Sequence, residues 1–453
     1  MYIDRVYDLV GVGFGPSNIA LAIALEELQP DIDYVFLERR DGGFWQEEML
    51  LQGSDIQNNP LRDLVTLRNP QSPYTFINYL KRADRLLDYL NLDLHYPLRK
   101  DYARYIAWVA AHFDHCVDYK SEVQTLDVAS DPSGHGTVWR MRTADGIERL
   151  TRCLVLGPGR RPRLPDIFRP HQGARVFHLT EYLRRIEQLA STSSHIAVVG
   201  ASQSAVEILL DLMRRNDEVE ISSIHRSFSF RLKDTSPFSN HVYFPDFIDY
   251  FYGSSPSSRA QLEEQLRPTN YSSVDADVLH ELYVRLYEEK LDGRQRVALR
   301  GNTVVEQVET TEDHVVLHTR EIHQGGANVL EVDAVVLATG FLNFGVGPGH
   351  EAFPPLLAGV TPKLALDQDG VIRVERDYRV PTALGPGAPL LYLNGLCEST
   401  HGLGDAGSFS LVSLRASEIA ASLMQRLGGL ARTGAPAAAG ELPGSRRTSR
   451  SWG

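Results

Sequence analysis

Twice along this chain an apolar strand pattern meets a turn of small residues and then an apolar helix pattern. The first instance is YDLVGVGFGPSNIALAIALEEL, where Gly11, Gly13 and Gly15 separate strand from helix. A second apolar run, YVFLE, follows and ends at Glu38. The second instance is HIAVVGASQSAVEILLDLM, with Gly200, Ser202, Gln203 and Ser204 at the turn and another strand pattern at about 220–225. Strand, small-residue turn and helix in this order form the first half of a βαβ unit. The chain is therefore expected to be an α/β protein with two Rossmann-like dinucleotide-binding domains. A polar, aromatic and partly helical stretch at 231–290 fits neither unit and is expected to form a smaller, mainly helical substrate region.

At 453 residues the chain is too long for one small core. The expected division places the first part of one dinucleotide domain at 1–160, with a helical insert at about 61–110. The other dinucleotide domain follows at 161–230, and its return, after the helical region, at 291–332. The apolar run AVVLATGF then opens the return of the first domain at 333–431, ahead of a disordered tail at 432–453 rich in Ala, Gly, Pro, Ser and Arg. A net charge of −12 argues against a nucleic-acid surface but leaves room for local basic patches that hold a phosphorylated cofactor. No signal-peptide pattern and no long uninterrupted apolar run is evident, so a cytoplasmic protein without a membrane span is expected.

At the first turn the glycines let a pyrophosphate approach the backbone, while the helix N-terminus supplies N–H donors. Glu38 is placed to accept from a ribose 2′-hydroxyl and would repel a 2′-phosphate, which favours FAD or NAD. No acid ends the strand after the second turn. Arg226 stands there instead, and a guanidinium matches a 2′-phosphate, which favours NADPH. Two such sites imply hydride transfer from nicotinamide to flavin. The three cysteines, Cys116, Cys153 and Cys397, are widely spaced, so they offer neither a redox pair nor a zinc site and read as free thiols.

Beyond these turns the chain resembles the ornithine/lysine N-hydroxylating flavin monooxygenases of siderophore and natural-product biosynthesis. The likeness rests on GVGFGPSNIALAIALEE, MLLQGSDIQNNPLRDLVTLRNPQSPYTFINYL, VVGASQSAVEIL, DTSPFSN, PTNYSSVDADVL, AVVLATGF and THGLGDAG, ordered from Asp8 to about Ile419. The resemblance implies that NADPH reduces FAD, that O2 adds to give a C4a-hydroperoxide, and that a neutral amine takes the distal oxygen. No obligatory protein acid or base is implied, because the cofactor carries the chemistry. The product would be an N-hydroxy amino acid.

Carried across by position, Gln57 contacts flavin on the substrate side, and Arg62 takes the place of a substrate-binding lysine. Asn240 matches an asparagine that holds the polar end of the substrate. Asn270, Tyr271 and Ser272 match the stretch that touches the nicotinamide nucleotide. Ser408, Phe409 and Ser410 lie in the loop that contacts flavin and substrate. Trp45, Gln46, Val123 and Gly340 are also expected at the cofactors. Departures from the family pattern fall at Trp45-Gln46, at Pro60-Leu61-Arg62-Asp63 and at Gly407-Ser408-Phe409-Ser410. They bear on the substrate, for which ornithine leads and lysine or aspartate compete. Arg231, Lys233 and His241 are expected in surface roles, and His401 as a structural histidine. The resemblance further implies a homo-oligomer. The rival readings are a Baeyer–Villiger or sulfur-oxidising flavin monooxygenase and a non-catalytic flavin-binding protein.

Overall fold

The computed structural model describes residues 5–432 apart from 30, 135, 190–192 and 386. The expected disordered tail lies outside the described residues from 433 onward.

The first sheet contains β1 (Val6–Val12), β2 (Tyr34–Leu37), β3 (Val117–Asp118), β4 (Val123–Ser130), β5 (Thr137–Thr143) and β6 (Glu148–Leu156), together with the late strand Leu390–Leu393. Its order is β3-β2-β1-β6-β5-β4. β1 is parallel to β2 and β6, and Leu390–Leu393 runs parallel to the Cys153–Leu156 half of β6. Helix α1 (Pro16–Leu28) follows β1 and buries every residue from Asn18 to Leu25. Proline is tolerated at its start, because the first turn needs no amide donor. The insert contains α2 (Phe76–Arg82), α3 (Leu86–Leu92) and α4 (Arg99–Ala111). The expected helical pattern from Leu61 thus begins only at Phe76. The reason is Asp63, whose carboxylate accepts N–H bonds from Val65, Thr66 and Phe76 at 2.6–2.9 Å and so wraps the chain into turns.

The second sheet begins with β7 (Val176–His178), β8 (His195–Val199), β9 (Glu220–Ile224) and β10 (Val297–Arg300). A separate antiparallel meander follows, β11 (Thr303–Thr310), β12 (Val315–Glu321) and β13 (Ala327–Val332). β14 (Ala334–Leu337) then inserts between β8 and β7, giving the parallel order β10-β9-β8-β14-β7. This corrects the domain division: the apolar run at 334 completes the second sheet, and the first is rejoined only at Leu390–Leu393. A strand buried on both faces reads as a continuous apolar run, which carries no label for the sheet it enters. Helices α5 (Tyr182–Leu189) and α6 (Gln203–Arg215) cover this sheet. The region at 231–290 is helical as expected, with α7 (Pro245–Gly253), α8 (Pro256–Leu266) and α9 (Ala276–Leu291). α9 nevertheless packs on α6 and gives Leu282 to the second core. The short α10 (Glu398–His401) and the closing α11 (Val412–Arg432) end the described chain, with α11 lying on α1. Among the described residues no helix is long and apolar enough to cross a membrane.

One buried ion pair crosses the seam between the sheets. Arg99, at the start of α4, reaches both carboxylate oxygens of Glu207 on α6, at 2.9 and 2.8 Å. Its remaining donors go to the carbonyls of Met49 and Asp55. Removing one partner of such a pair leaves an uncompensated buried charge, which costs about 3–5 kcal/mol. We therefore expect Glu207→Ala to lose stability on that scale in urea unfolding, and a midpoint equal to that of the native sequence would contradict the role given to the pair.

Candidate functional site

A cavity of about 2460 Å³ is lined by segments of both sheets' halves of the chain. That exceeds the roughly 300–1,000 Å³ of an ordinary small-molecule pocket, so it has room for more than one ligand. Trp45, Gln46, Gln57, Arg62, Gly200, Ser202, Gln203, Ser204, Arg226, Asn240, Asn270, Tyr271, Ser272, Gly340, Ser408, Phe409 and Ser410 all line it. Gly11, Gly13, Gly15, Glu38 and Val123 are not in its wall, whereas Arg39, Arg40, Pro158 and Gly159 beside them are.

The first turn shows why. Gly13 has φ +85°, and a Cβ there would stand 2.6 Å from the carbonyl oxygen of Gly157, so only glycine fits between β1 and β6. The Glu38 carboxylate is turned onto the loop, accepting from the N–H groups of Phe14 at 2.6 Å and Arg40 at 2.9 Å. Gly15 caps α1 without any side-chain bond, and a Cβ on it would meet nothing within 4 Å. An uncapped helix N-terminus with open space before it suits a pyrophosphate. Val123 opens β4 and packs half-buried against the first core.

Sequence reasoning missed the brace behind this turn. The Asn18 amide donates to the carbonyls of Gly13 at 2.7 Å and Val12 at 3.2 Å, and its oxygen accepts from Asn394 at 3.0 Å. Arg415 on α11 holds the Asn394 oxygen at 2.8 Å and is paired with buried Asp405 at 3.0 Å. The one sequence signal is an asparagine next to the start of the apolar run at 19–25.

At the second turn α6 again starts without a side-chain cap, at Ser202. Gly200 (φ +145°) lies against the Ala338 backbone, where a Cβ would collide with the carbonyl oxygen. Arg226 is exposed on the cavity wall. It is not alone there: burial and the nearby Arg226 and Arg267 together lower the pKa of Arg163. Three guanidiniums on the same cavity wall as an uncapped helix start are suited to a phosphate-rich ligand.

The deeper wall carries the remaining polar groups. Arg62 donates to the Ser410 hydroxyl at 3.0 Å and lies over the Tyr243 ring at 5.7 Å. Ser410 is 2.8 Å from Ser408, while Phe409 packs edge-on against Trp45 and Tyr102. Asn240 spends its amide on the Thr235 carbonyl at 3.3 Å. Lys233 corrects its expected surface role: its side chain is only 10% exposed, with the ammonium 3.3 Å from the Gln57 oxygen and 3.5 Å from Asp275. The Gln57 amide nitrogen is buried with no partner. An orphaned donor on a cavity wall is accounted for by a ligand acceptor. Gln46, Gln57 and Ser272 adopt left-handed backbone conformations, with φ between +48° and +56°. Non-glycine residues held in this region mark sites whose shape is imposed by their surroundings. His401 lies off the cavity, stacked 4.2 Å from Tyr378, and burial lowers its pKa to about 4, as befits a structural histidine. The three cysteines are buried and free.

The two turns, the unpartnered Gln57 donor and the arginine cluster fit FAD on the first sheet and NADPH on the second. Known proteins agree with this assignment. The family model for L-lysine 6-monooxygenase/L-ornithine 5-monooxygenase matches residues 5–343. The L-ornithine N(5)-monooxygenase of Pseudomonas aeruginosa is 38% identical over 433 residues, covering 93% of this chain and 94% of that one. The solved ornithine hydroxylase from Pseudomonas aeruginosa superposes with a TM-score of 0.84 at 37% identity, over 93% of this chain and all of that chain. An ornithine N-hydroxylase from Kutzneria sp. 744, solved with reduced FAD, NADP+ and L-ornithine, gives 0.85 at 29% identity, with the same coverage of both chains.

His178 ties the second sheet to this site. Its Nε2 lies 3.0 Å from the Gly340 carbonyl, and Nδ1 accepts from the Thr180 N–H at 3.3 Å. Burial lowers its pKa to about 4, so the native ring is neutral. Its contribution is complete above the unfolded value near 6.5 and is lost as pH falls from there towards 4. We expect roughly 3 kcal/mol of acid-side stability loss in this window that His178→Gln does not share. Parallel urea midpoint–pH curves for the two proteins would refute it.

Proposed function

The chain belongs to the L-lysine 6-monooxygenase/L-ornithine 5-monooxygenase family, and we propose that it hydroxylates the side-chain amine of L-ornithine. It is an FAD- and NADPH-dependent N-hydroxylating monooxygenase that acts on a primary amine of a small amino acid. Ornithine is favoured by the relatives, and the observation that supports an amino-acid substrate is Arg62, a cation in the cavity wall bonded to Ser410 and able to meet a carboxylate.

Bound FAD, once reduced by NADPH, supplies oxygen from O2 in electrophilic form. The chain's own residues place the nucleophile. Arg62 offers a planar fork to the substrate carboxylate, and Ser410 and Asn58 hold that fork in a fixed direction. Ser408, Phe409 and Tyr243 close the wall around it and keep water out. The Lys233 ammonium holds the Gln57 side-chain oxygen, which fixes the direction of the unpartnered Gln57 amide nitrogen. Arg163, Arg226 and Arg267 take the 2′-phosphate of NADPH. The same chemistry supports a place in siderophore biosynthesis. Self-association has support in α3, which buries none of its residues and exposes Leu87, Leu90 and Leu92.

The deciding measurement is hydroxylamine formed from a panel of amino acids, with ketones and thioethers alongside. Coupled turnover on ornithine is expected, whereas turnover only on lysine, on aspartate or on a ketone would replace this substrate. Arg62→Ala is expected to raise the KM for the amino acid by about ten- to a hundredfold, the loss of a charge-assisted bond, while NADPH still reduces the flavin. An unchanged KM would take Arg62 out of substrate binding. Arg226→Ala is expected to raise the KM for NADPH by about tenfold and to leave that for NADH almost unmoved. Equal changes for both nucleotides would exclude a 2′-phosphate role.

A further inference from the structure

The two covalent connections between the sheets, 157–175 and 338–389, converge on one side chain that neither sheet owns. Glu398, on α10, is 3% exposed and sits behind the cavity wall. Its Oε2 accepts from Arg160 at 2.9 Å and from Asn343 at 3.2 Å, one residue from each connection. Its Oε1 accepts from the Tyr271 hydroxyl at 2.5 Å and from the Gly407 N–H at 2.7 Å. Arg160 also bonds the Asn343 oxygen at 3.1 Å and lies over the Tyr271 ring at 5.4 Å. A Cβ on Gly407 would collide with the Tyr271 hydroxyl, so the loop can approach only because glycine stands there.

We infer that Glu398 is a positioning residue that couples the two ends of the reaction cavity, and this rests on the N-hydroxylation reading above. Tyr271 belongs to the 270–272 stretch on the second-sheet side. Gly407 leads into Ser408 and Ser410, and Ser410 accepts from Arg62. A single carboxylate thus fixes the substrate loop, the nicotinamide-side stretch and both hinges between the sheets. All four partners are donors, and although burial pushes the Glu398 carboxyl up, the Arg160 guanidinium and these donors favour its ionised form, which has about four lone-pair sites to meet them. No neutral side chain of the same shape does this. Glutamine would keep one acceptor oxygen and turn an NH2 group against two donors.

The productive reaction is RNH2 + O2 + NADPH + H+ giving RNHOH + H2O + NADP+. When the amine is misplaced, the same NADPH, H+ and O2 give NADP+ and H2O2. A fault confined to alignment therefore shows as a shift from hydroxylamine to peroxide.

The test uses the full-length holoenzyme and compares the native sequence with Glu398→Gln, Glu398→Asp and Tyr271→Phe. In Glu398→Gln we expect normal FAD content, flavin reduction by NADPH within about threefold of normal, and an amino-acid KM raised about tenfold, the scale of one lost charge-assisted bond. The peroxide share of NADPH oxidation should rise several-fold. Glu398→Asp keeps four acceptor sites and should recover part of the coupling; Tyr271→Phe removes one donor and should uncouple to a smaller degree. If Glu398→Gln yields no folded flavoprotein, Tyr271→Phe decides alone. Native coupling and KM in the folded variants would overturn the inference. Absence of hydroxylamine from the native protein with every amine would instead overturn the functional reading beneath it.

Discussion

The Arg99–Glu207 pair fixes how two halves meet beside a polar cavity. The side chains around β1 and around β8 fall into separate hydrophobic clusters, and between them lies a polar cavity. A dry interface there would leave no room for two dinucleotides. Besides Met49 and Leu51, which pack into the second core, the seam is held by charge: Arg99 with Glu207 and Arg160 with Glu398, each pair under 15% exposed in its side chains. Buried ion pairs add little net stability over apolar residues of the same volume, but they tolerate few arrangements, because every donor needs its acceptor. A seam built this way trades adhesion for a defined angle between the sheets.

That angle matters because the site is assembled from segments far apart in sequence. Arg62 comes from the turns organised by Asp63, Ser410 from the loop before α11, Lys233 from the link after β9. None of these segments is regular structure. Their shapes are imposed, as the left-handed Gln46, Gln57 and Ser272 show. Such conformations cost about 1 kcal/mol or more each and persist only where the surroundings over-determine them. The neighbouring Asp55 carboxylate, which accepts the Gln57 N–H at 2.9 Å, has its pKa raised to about 6, mainly by burial. Strain and a buried carboxyl thus gather around Gln57 on the cavity wall.

How much of this the chain disclosed in advance depended on the range of each interaction. The turns at Gly13 and Gly200 were legible because a strand, a small-residue turn and a helix are contiguous, and the physics that selects glycine is local. Arg62, Ser410 and Tyr271 were reached through resemblance, and all three stand in the cavity wall. Ala334–Leu337 was recognised as a buried strand yet assigned to the wrong sheet, since pairing with β7 and β8 is a long-range choice. Lys233 was read as solvated because its burial depends on Gln57 and Asp275, which lie elsewhere in the sequence. Glu398 gave no signal at all. Its four partners come from four segments, and no local pattern encodes their meeting.

The charge distribution reconciles an acidic protein with anionic cofactors. The chain carries −12 overall, yet the cavity wall holds thirteen Lys and Arg against seven Asp and Glu. Acidic surface elsewhere disfavours nucleic acid and non-specific polyanions, while a cationic cleft with low-dielectric walls concentrates field where phosphates enter. Within that cleft the cations are not interchangeable. Arg99 and Arg160 are consumed by buried carboxylates and act as structure. Burial, with Arg226 and Arg267 nearby, lowers the pKa of Arg163, and a bound phosphate would offset that destabilisation of its charged form. A phosphorylated nucleotide bound at the second turn would bring negative charge to the group of cations that already faces the cavity there.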